Sequence, residues 1–412
     1  MSRSVNPFVV NGRIPAAYFC DREEEKAALV HAINNQSNVV LMSPRRMGKT
    51  SLVDAVLGRG EMEQEFITVF VDILHTNTLR ELTFALGMAV FQKVAKRSER
   101  LVRTFASTLR SLSASFGYDA VMGQVTFDVR LGDIAQPAFT LEEIFLFLEQ
   151  AERPCVVVID EFQQITRYPE QGVEALLRTQ IQRASRAQFI FSGSQRRLME
   201  EMFLSSSRPF YQSARLLPLG PIAMERYCEF AQRLFREGGK DIDPAAIVHV
   251  YSAMRGVTLY LQRIMKDAYA LTSVGERCDV DILRQLIEAF VQENDSRFRD
   301  LLSFISEPQK ELLYAIHAEC RARRMTHQAI GQEVTNMGNS ERTGQTDAPD
   351  SVVVGVEGIT SSSFTRRHRL KSPSATQSAA AKLLELDILT REGRAYRIAD
   401  PLLELWLSRE LG

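Results

Sequence analysis

Ser43-Pro44-Arg45-Arg46-Met47-Gly48-Lys49-Thr50 follows a short apolar run, residues 38–42, and precedes a helical stretch that begins near Ser51. The spacing is that of G-x-x-x-x-G-K-[ST], with Ser43 in place of the first glycine. Each part has a physical job. Gly48 lets the backbone approach phosphates, and loop N–H groups with the helix N-terminus take up anionic oxygens. Lys49 is placed to reach the β- and γ-phosphates, and the Thr50 hydroxyl to ligate Mg²⁺. Gly-Lys-Thr alone is a common tripeptide. The strand, loop and helix context is what makes Ser43 to Ser51 a candidate nucleotide-binding segment.

Working outward, residues 67–73, 155–159, 188–191 and 216–219 are further short apolar runs rich in Val, Ile, Phe and Leu. Helical patterns such as 79–94 and 172–184 lie between them. Alternation of this kind predicts a mostly parallel sheet covered by helices, with its chemistry at the carboxyl ends of the strands. Residues 97–136 are less regular and read as an insertion, with an extra strand over 125–131.

Two of those strand ends carry polar groups. Cys155-Val-Val-Val-Ile-Asp160-Glu161 places Asp160 where it can hold a metal through water and Glu161 where it can polarise an attacking water. The pair comes 111 positions after Lys49 (160 minus 49), with a complete strand between them, as expected when an additional strand separates the two motifs. Phe191-Ser192-Gly193-Ser194-Gln195 ends another strand, and Ser192 or Ser194 could orient the water or the γ-phosphate. The candidate catalytic set is therefore Glu161, Lys49, Ser192 and Ser194, with Thr50 and Asp160 as Mg²⁺ ligands. Arg45, Arg46, Arg196, Arg197, Arg208 and Arg215 cluster within or just after these motifs, and any could stabilise charge, in cis or from a neighbouring subunit.

Together these residues resemble the archaeal-type ATPases, of the STAND branch of AAA+-like P-loop NTPases. The likeness is carried by Phe19-x-x-Arg22-Glu23-x-Glu25, then PRRMGKTSL, VVVIDEFQ and FSGS, and it extends from Asn6-Pro7-Phe8 to Asp400-Pro401 and Trp406. The resemblance implies an α/β doubly wound parallel-sheet core of the ASCE type, an all-helical lid and a C-terminal winged helix. It implies ATP and Mg²⁺ as ligands and a role for Arg22 in framing the adenine. Three positions depart from the family pattern: Cys20-Asp21 before Arg22, Thr258 where Pro is usual in 255–260, and Tyr211-Gln212-Ser213 where Tyr-Gly-Arg is usual. The last removes the family's most obvious arginine.

The expected domains are 1–220 for the core, 221–304 for the lid and 305–412 for the winged helix, with a mobile, Gly-rich insertion at 331–358. Helices are expected over 224–237, from Asp243-Pro244, over 259–271, over 280–304 and from Pro308 to about Arg324.

The chain has 412 residues and a formal net charge of −1, a balance that excludes a uniformly basic polyanion binder. The charge is segregated, however. Residues 360–397 hold eight basic groups against three acidic ones, +5; residues 398–412 contribute −2, so 1–359 sum to −4. A helix at 361–368, a recognition helix at 374–386 and a hairpin with Gly393 at its tip have winged-helix order. Arg366, Arg367, Arg369, Lys371 and Arg394 would meet duplex phosphates. Ser374, Thr376, Gln377 and Ser378 are polar recognition-helix positions, of which Gln377 is the candidate base contact. A winged helix also packs against proteins, so the partner is duplex DNA or a protein.

Five scattered cysteines (Cys20, Cys155, Cys228, Cys278, Cys320), six histidines without ligand spacing and no apolar run near the length of a membrane span complete the reading. The expectation is a cytoplasmic, Mg²⁺-dependent ATP hydrolase without a membrane partner, open to oligomerisation, whose nucleotide state is coupled to the winged helix. The alternatives are a slow nucleotide-dependent signalling switch whose winged helix binds protein, and a DNA-binding regulator with secondary ATPase activity.

Overall fold

The protein is described by a computed structural model over residues 6–119, 124–337 and 355–412. It divides into two compact units, Val9–Ile222 and a second one comprising Ala223–Gly412 together with residues 6–8.

The first unit is built on five parallel strands in the spatial order Ile67–Asp72, Cys155–Asp160, Ala187–Gly193, Val39–Met42, Arg215–Pro218. Period-two alternation sends side chains to two separate cores. Val40, Met42, Val157, Ile159, Phe189 and Phe191 enter the larger core, beneath helices Leu79–Ala95, Pro137–Gln150 and Val173–Arg183. Val39, Leu41, Val156, Val158 and Ile190 enter the other, against Glu23–Asn34 and Lys49–Leu57. Strands buried on both faces need continuous apolar sequence, which is why these runs read as Val, Ile and Leu rather than as alternation. Each such side chain stabilises the fold by about 1.5–3 kcal/mol on burial.

The strand that separates the two nucleotide motifs in space is Ala187–Gly193, whereas Ile67–Asp72, which separates them in sequence, lies at the sheet edge. The insertion after residue 97 does not extend this sheet. It forms the helix Glu99–Thr108 and a separate antiparallel pair, Phe116–Asp119 with Gln124–Phe127. Phe116 and Phe127 stack at 4.4 Å and pack on Phe91 and Phe105.

In the second unit, helix Met224–Glu237 leads to Pro244–Ala253, where the Asp243 carboxylate caps Ala245 N–H at 3.0 Å. Thr258–Leu271 follows. The stretch 280–304, expected as one helix, is two, Val280–Glu293 and Asp295–Ser303. The break falls at Asn294, whose side-chain amide turns back onto the Phe290 carbonyl, an Asn competing with the helix for its backbone groups. Phe8 is 1% exposed and packs edge-on against Phe230 and Phe235.

Helix Glu307–Met337 runs on where the mobile insertion was expected to begin at Gly331. One glycine costs a helix only about 1 kcal/mol, and no proline stops it. Residues 338–354 of that insertion lie outside the described residues. Ser362–Arg367, Pro373–Glu385, the hairpin Leu389–Glu392 with Ala395–Ile398, and Pro401–Leu411 complete the winged-helix arrangement. Gly393 takes φ +58° at the first central position of the two-residue wing turn, a left-handed conformation that glycine adopts freely.

Candidate nucleotide site and winged-helix face

Val39–Met42 ends in the loop 43–48, and Gly48, at φ +90°, caps helix Lys49–Leu57. That angle is what requires glycine, because a Cβ there would meet nothing within 4 Å. Arg46 also has positive φ, +69°, so the loop turns sharply twice. Gly48 has no side chain to accept from the helix N–H groups. The first N–H groups of the helix thus have neither intrahelical nor side-chain partners, which suits an anion. Ser43 and Met47 are buried and fix the loop, whereas Pro44, Arg45 and Thr50 are exposed.

Lys49 points back across the loop, its Nζ donating to the Ser43 carbonyl at 3.2 Å and the Pro44 carbonyl at 3.4 Å. Burial pushes its pKa below the usual lysine range; Glu161 and Asp160 pull it up, and Arg45 lowers it further. Asp160 moves the other way. Burial raises it, a hydrogen bond from Ser192 restrains that rise, Glu161 adds to it, and Lys49 lowers it. Burial acting together with charged neighbours on two groups at the strand ends makes Lys49 and Asp160 functional-site candidates.

The Thr50 hydroxyl lies 3.5 Å from Asp160 Oδ2, so the fold joins the two motifs that the sequence separates. Two hard oxygens side by side fit a small divalent cation. Among the described residues no group of three His, Cys, Asp or Glu could hold a metal by itself. That donor set suits Mg²⁺, which takes one or two protein oxygens and fills its octahedron with phosphate and water.

Glu161 takes φ +55°, strained for a non-glycine residue, at the turn after Cys155–Asp160. Its Oε2 accepts from the Ser194 hydroxyl at 2.7 Å, from the Ser194 N–H at 3.3 Å and from the Gln163 amide. Ser192 and Ser194 thus divide: the first serves Asp160, the second Glu161. Behind them Phe162, Phe191, Phe203 and Phe210 form an aromatic cluster, with Phe162 and Phe191 centroids 4.5 Å apart, which fixes both strand ends.

Gln163 was not singled out from the sequence. The available signal was its place two residues beyond Glu161, inside the same tight turn. Arg22 is buried, and its guanidinium bonds Glu25 at 2.7 Å and the Gly220 carbonyl at 2.6 Å. It ties the entry of the first unit to its last strand. Ser51 lies within the first turn of helix Lys49–Leu57. Of the remaining candidate arginines, Arg208 pairs with Glu174 and Glu201 and Arg196 with Glu200, whereas Arg45 Nε donates to Ser194 Oγ at 3.4 Å.

On the winged helix, Ser374, Gln377, Ser378, Ala381, Lys382 and Glu385 form one exposed face of Pro373–Glu385. Thr376 does not join it, being 3% exposed and bonded back to the Ser372 carbonyl. Arg367 pairs with Glu319 at 2.6 Å. Arg366, Arg369, Lys371 and Arg394 are exposed and make no ion pair among the described residues.

Within the second unit, the segment 255–260 packs against the winged helix. Arg255 donates to the Ile398 and Ala399 carbonyls, and Tyr260 bonds Asp400. Burial holds the Arg255 pKa down to about 10. No helix among the described residues is long and apolar enough to cross a membrane.

Two family profiles match the sequence: "ATPase domain predominantly from Archaea" over residues 19–264, and "Probable winged helix domain" over 354–409. No curated protein matches. Among solved structures, a Walker-type ATPase of Pyrococcus abyssi is 17% identical with a TM-score of 0.63, over 98% of this chain and 99% of its own. The ORC2 protein of Aeropyrum pernix, in ADPNP and ADP complexes, is 13% identical with a TM-score of 0.56, over 99% of both chains. With a parallel P-loop sheet in its first unit and a winged helix at its end, this nucleotide-binding chain belongs to the family of ATPase domains predominantly from Archaea.

Proposed function

We propose that the protein hydrolyses ATP with Mg²⁺ at the Ser43–Ser51 loop and couples its nucleotide state to a winged helix that contacts duplex DNA. The approach of the Thr50 hydroxyl to the Asp160 carboxylate, 3.5 Å, carries the reading. Thr50 and Asp160 would hold Mg²⁺, which when bound neutralises phosphate charge. Lys49 and the helix N-terminus bind the phosphates. Glu161, oriented by Ser194 and Gln163, accepts a proton from water as the water oxygen bonds to the γ-phosphorus. The bond from phosphorus to the bridging oxygen breaks, its electron pair stays on the departing ADP, and inorganic phosphate is released.

The exposed, unpaired cations Arg366, Arg369, Lys371 and Arg394 favour DNA over a protein partner. Phosphates reward unpaired guanidinium and ammonium groups around an exposed polar helix face.

ATP turnover measured with and without duplex and single-stranded DNA, on wild type and Glu161→Gln, tests both halves. Glu161→Gln is expected to bind ATP and lose turnover; equal turnover would remove the assigned base. Charge reversal at Arg366, Arg369 and Lys371 should weaken DNA binding and flatten its salt dependence. DNA affinity too weak to measure even at low salt would leave the protein-binding switch as the better reading.

A further inference from the structure

The six arginines near the strand ends are not equivalent once placed. Arg208 and Arg196 are turned toward carboxylates, and Tyr211-Gln212-Ser213 carries none. Arg45 is different. It sits inside the phosphate loop, and its Nε reaches Ser194 Oγ at 3.4 Å, while the same hydroxyl donates to Glu161 at 2.7 Å. Its charge is also felt at Lys49. One guanidinium thus shares the Ser194 hydroxyl with the carboxylate read as the base, and its charge reaches the lysine read as the phosphate ligand.

We propose that Arg45 is a catalytic residue that supplies, in cis and from within the phosphate loop, the cation that stabilises the transferring phosphoryl group. The proposal rests on the hydrolytic reading of Lys49, Thr50, Asp160 and Glu161. As the water oxygen bonds to the γ-phosphorus and the bond to the ADP oxygen lengthens, negative charge spreads over the equatorial oxygens. A planar guanidinium meets two such oxygens at once, which the point charge of Lys49 does not. Glu161 takes the water proton and ADP leaves with the bonding pair, so Arg45 itself neither gains nor loses a proton. Being covalently part of the loop, Arg45 is already at the site when the nucleotide binds. No neighbouring subunit is needed to complete the site, which agrees with the missing arginine at Ser213.

Steady-state and single-turnover hydrolysis by the full chain, with a fluorescent ATP analogue to report affinity, separates the outcomes. Arg45→Ala should lower kcat by about a hundred-fold or more while nucleotide affinity is kept, and Arg45→Lys should restore only part of it. Wild-type turnover per chain should not change with protein concentration. Unchanged kcat in Arg45→Ala, a loss confined to affinity, or turnover that rises with concentration would each overturn the proposal. If Lys49→Ala and Glu161→Gln are inactive while Arg45→Ala is not, this inference alone fails. If Lys49→Ala and Glu161→Gln are both fully active, the hydrolytic reading beneath it fails instead.

Discussion

The Tyr260 hydroxyl donates to the Asp400 carboxylate at 2.8 Å, joining the helix Thr258–Leu271 to the cap of the last helix, Pro401–Leu411. The same carboxylate accepts Arg297 at 3.0 Å and the Leu402 N–H at 3.0 Å. Nearby, Glu404 pairs with Arg255 and Arg324, and Trp406 donates to Asp295. Lid helices and winged helix are therefore joined by charged groups that share partners. A movement of one that preserved these bonds would carry the other.

Asp400→Ala removes a cap and two further partners and leaves Arg297 without its carboxylate. It should destabilise the second unit by about 3 kcal/mol, against about 1 kcal/mol for Tyr260→Phe. The chain has one tryptophan, Trp406, 2% exposed in this unit, so its fluorescence during urea unfolding reports the change directly. The double variant should cost less than the sum of the two.

Asp160→Asn should raise the melting temperature while abolishing turnover. A carboxyl raised by burial costs stability as pH rises above its unfolded value, and the cost grows until pH passes its folded value. Asn keeps an acceptor for Ser192 and removes that cost. A rise of a few degrees, on the order of 1 kcal/mol, is expected by scanning calorimetry of the nucleotide-free protein. A fall would mean that Asp160 is stabilising in the absence of ligand.

His317 is 3% exposed, on helix Glu307–Met337, and burial, with Arg324 and Arg321 adding to it, lowers its pKa to about 4. Folded and unfolded states then bind protons differently between about 6.5 and 4. The native state carries fewer protons in that window, so stability is retained above it and lost as pH falls through it, by at most about 3 kcal/mol. Chemical denaturation of the second unit at a series of pH values should show this acid loss, and His317→Gln should flatten it.

The sheet was legible because strands covered on both faces leave no polar alternation, and the apolar runs at 155–159 and 188–191 fall inside the strands Cys155–Asp160 and Ala187–Gly193. The phosphate loop was legible because only glycine enters its φ +90° turn without strain. What the sequence did not reveal is mostly a matter of third dimensions. That Ala187–Gly193 intervenes between the motif strands is a matter of pairing between segments far apart in sequence. Thr376 reads as polar and surface-facing until its hydroxyl is seen bonding its own helix. Arg22 gives no sign in the sequence that its guanidinium bonds the Gly220 carbonyl, 198 positions away.

Phe8 is among the earliest described residues of the chain, yet its partners Phe230 and Phe235 come more than 220 positions later. A ribosome would release this side chain long before anything exists for it to pack on, with the whole first unit made in between. The second unit therefore closes its core last, across a very long loop, and a polypeptide beginning at residue 9 would have a phenylalanine-sized hole at its centre.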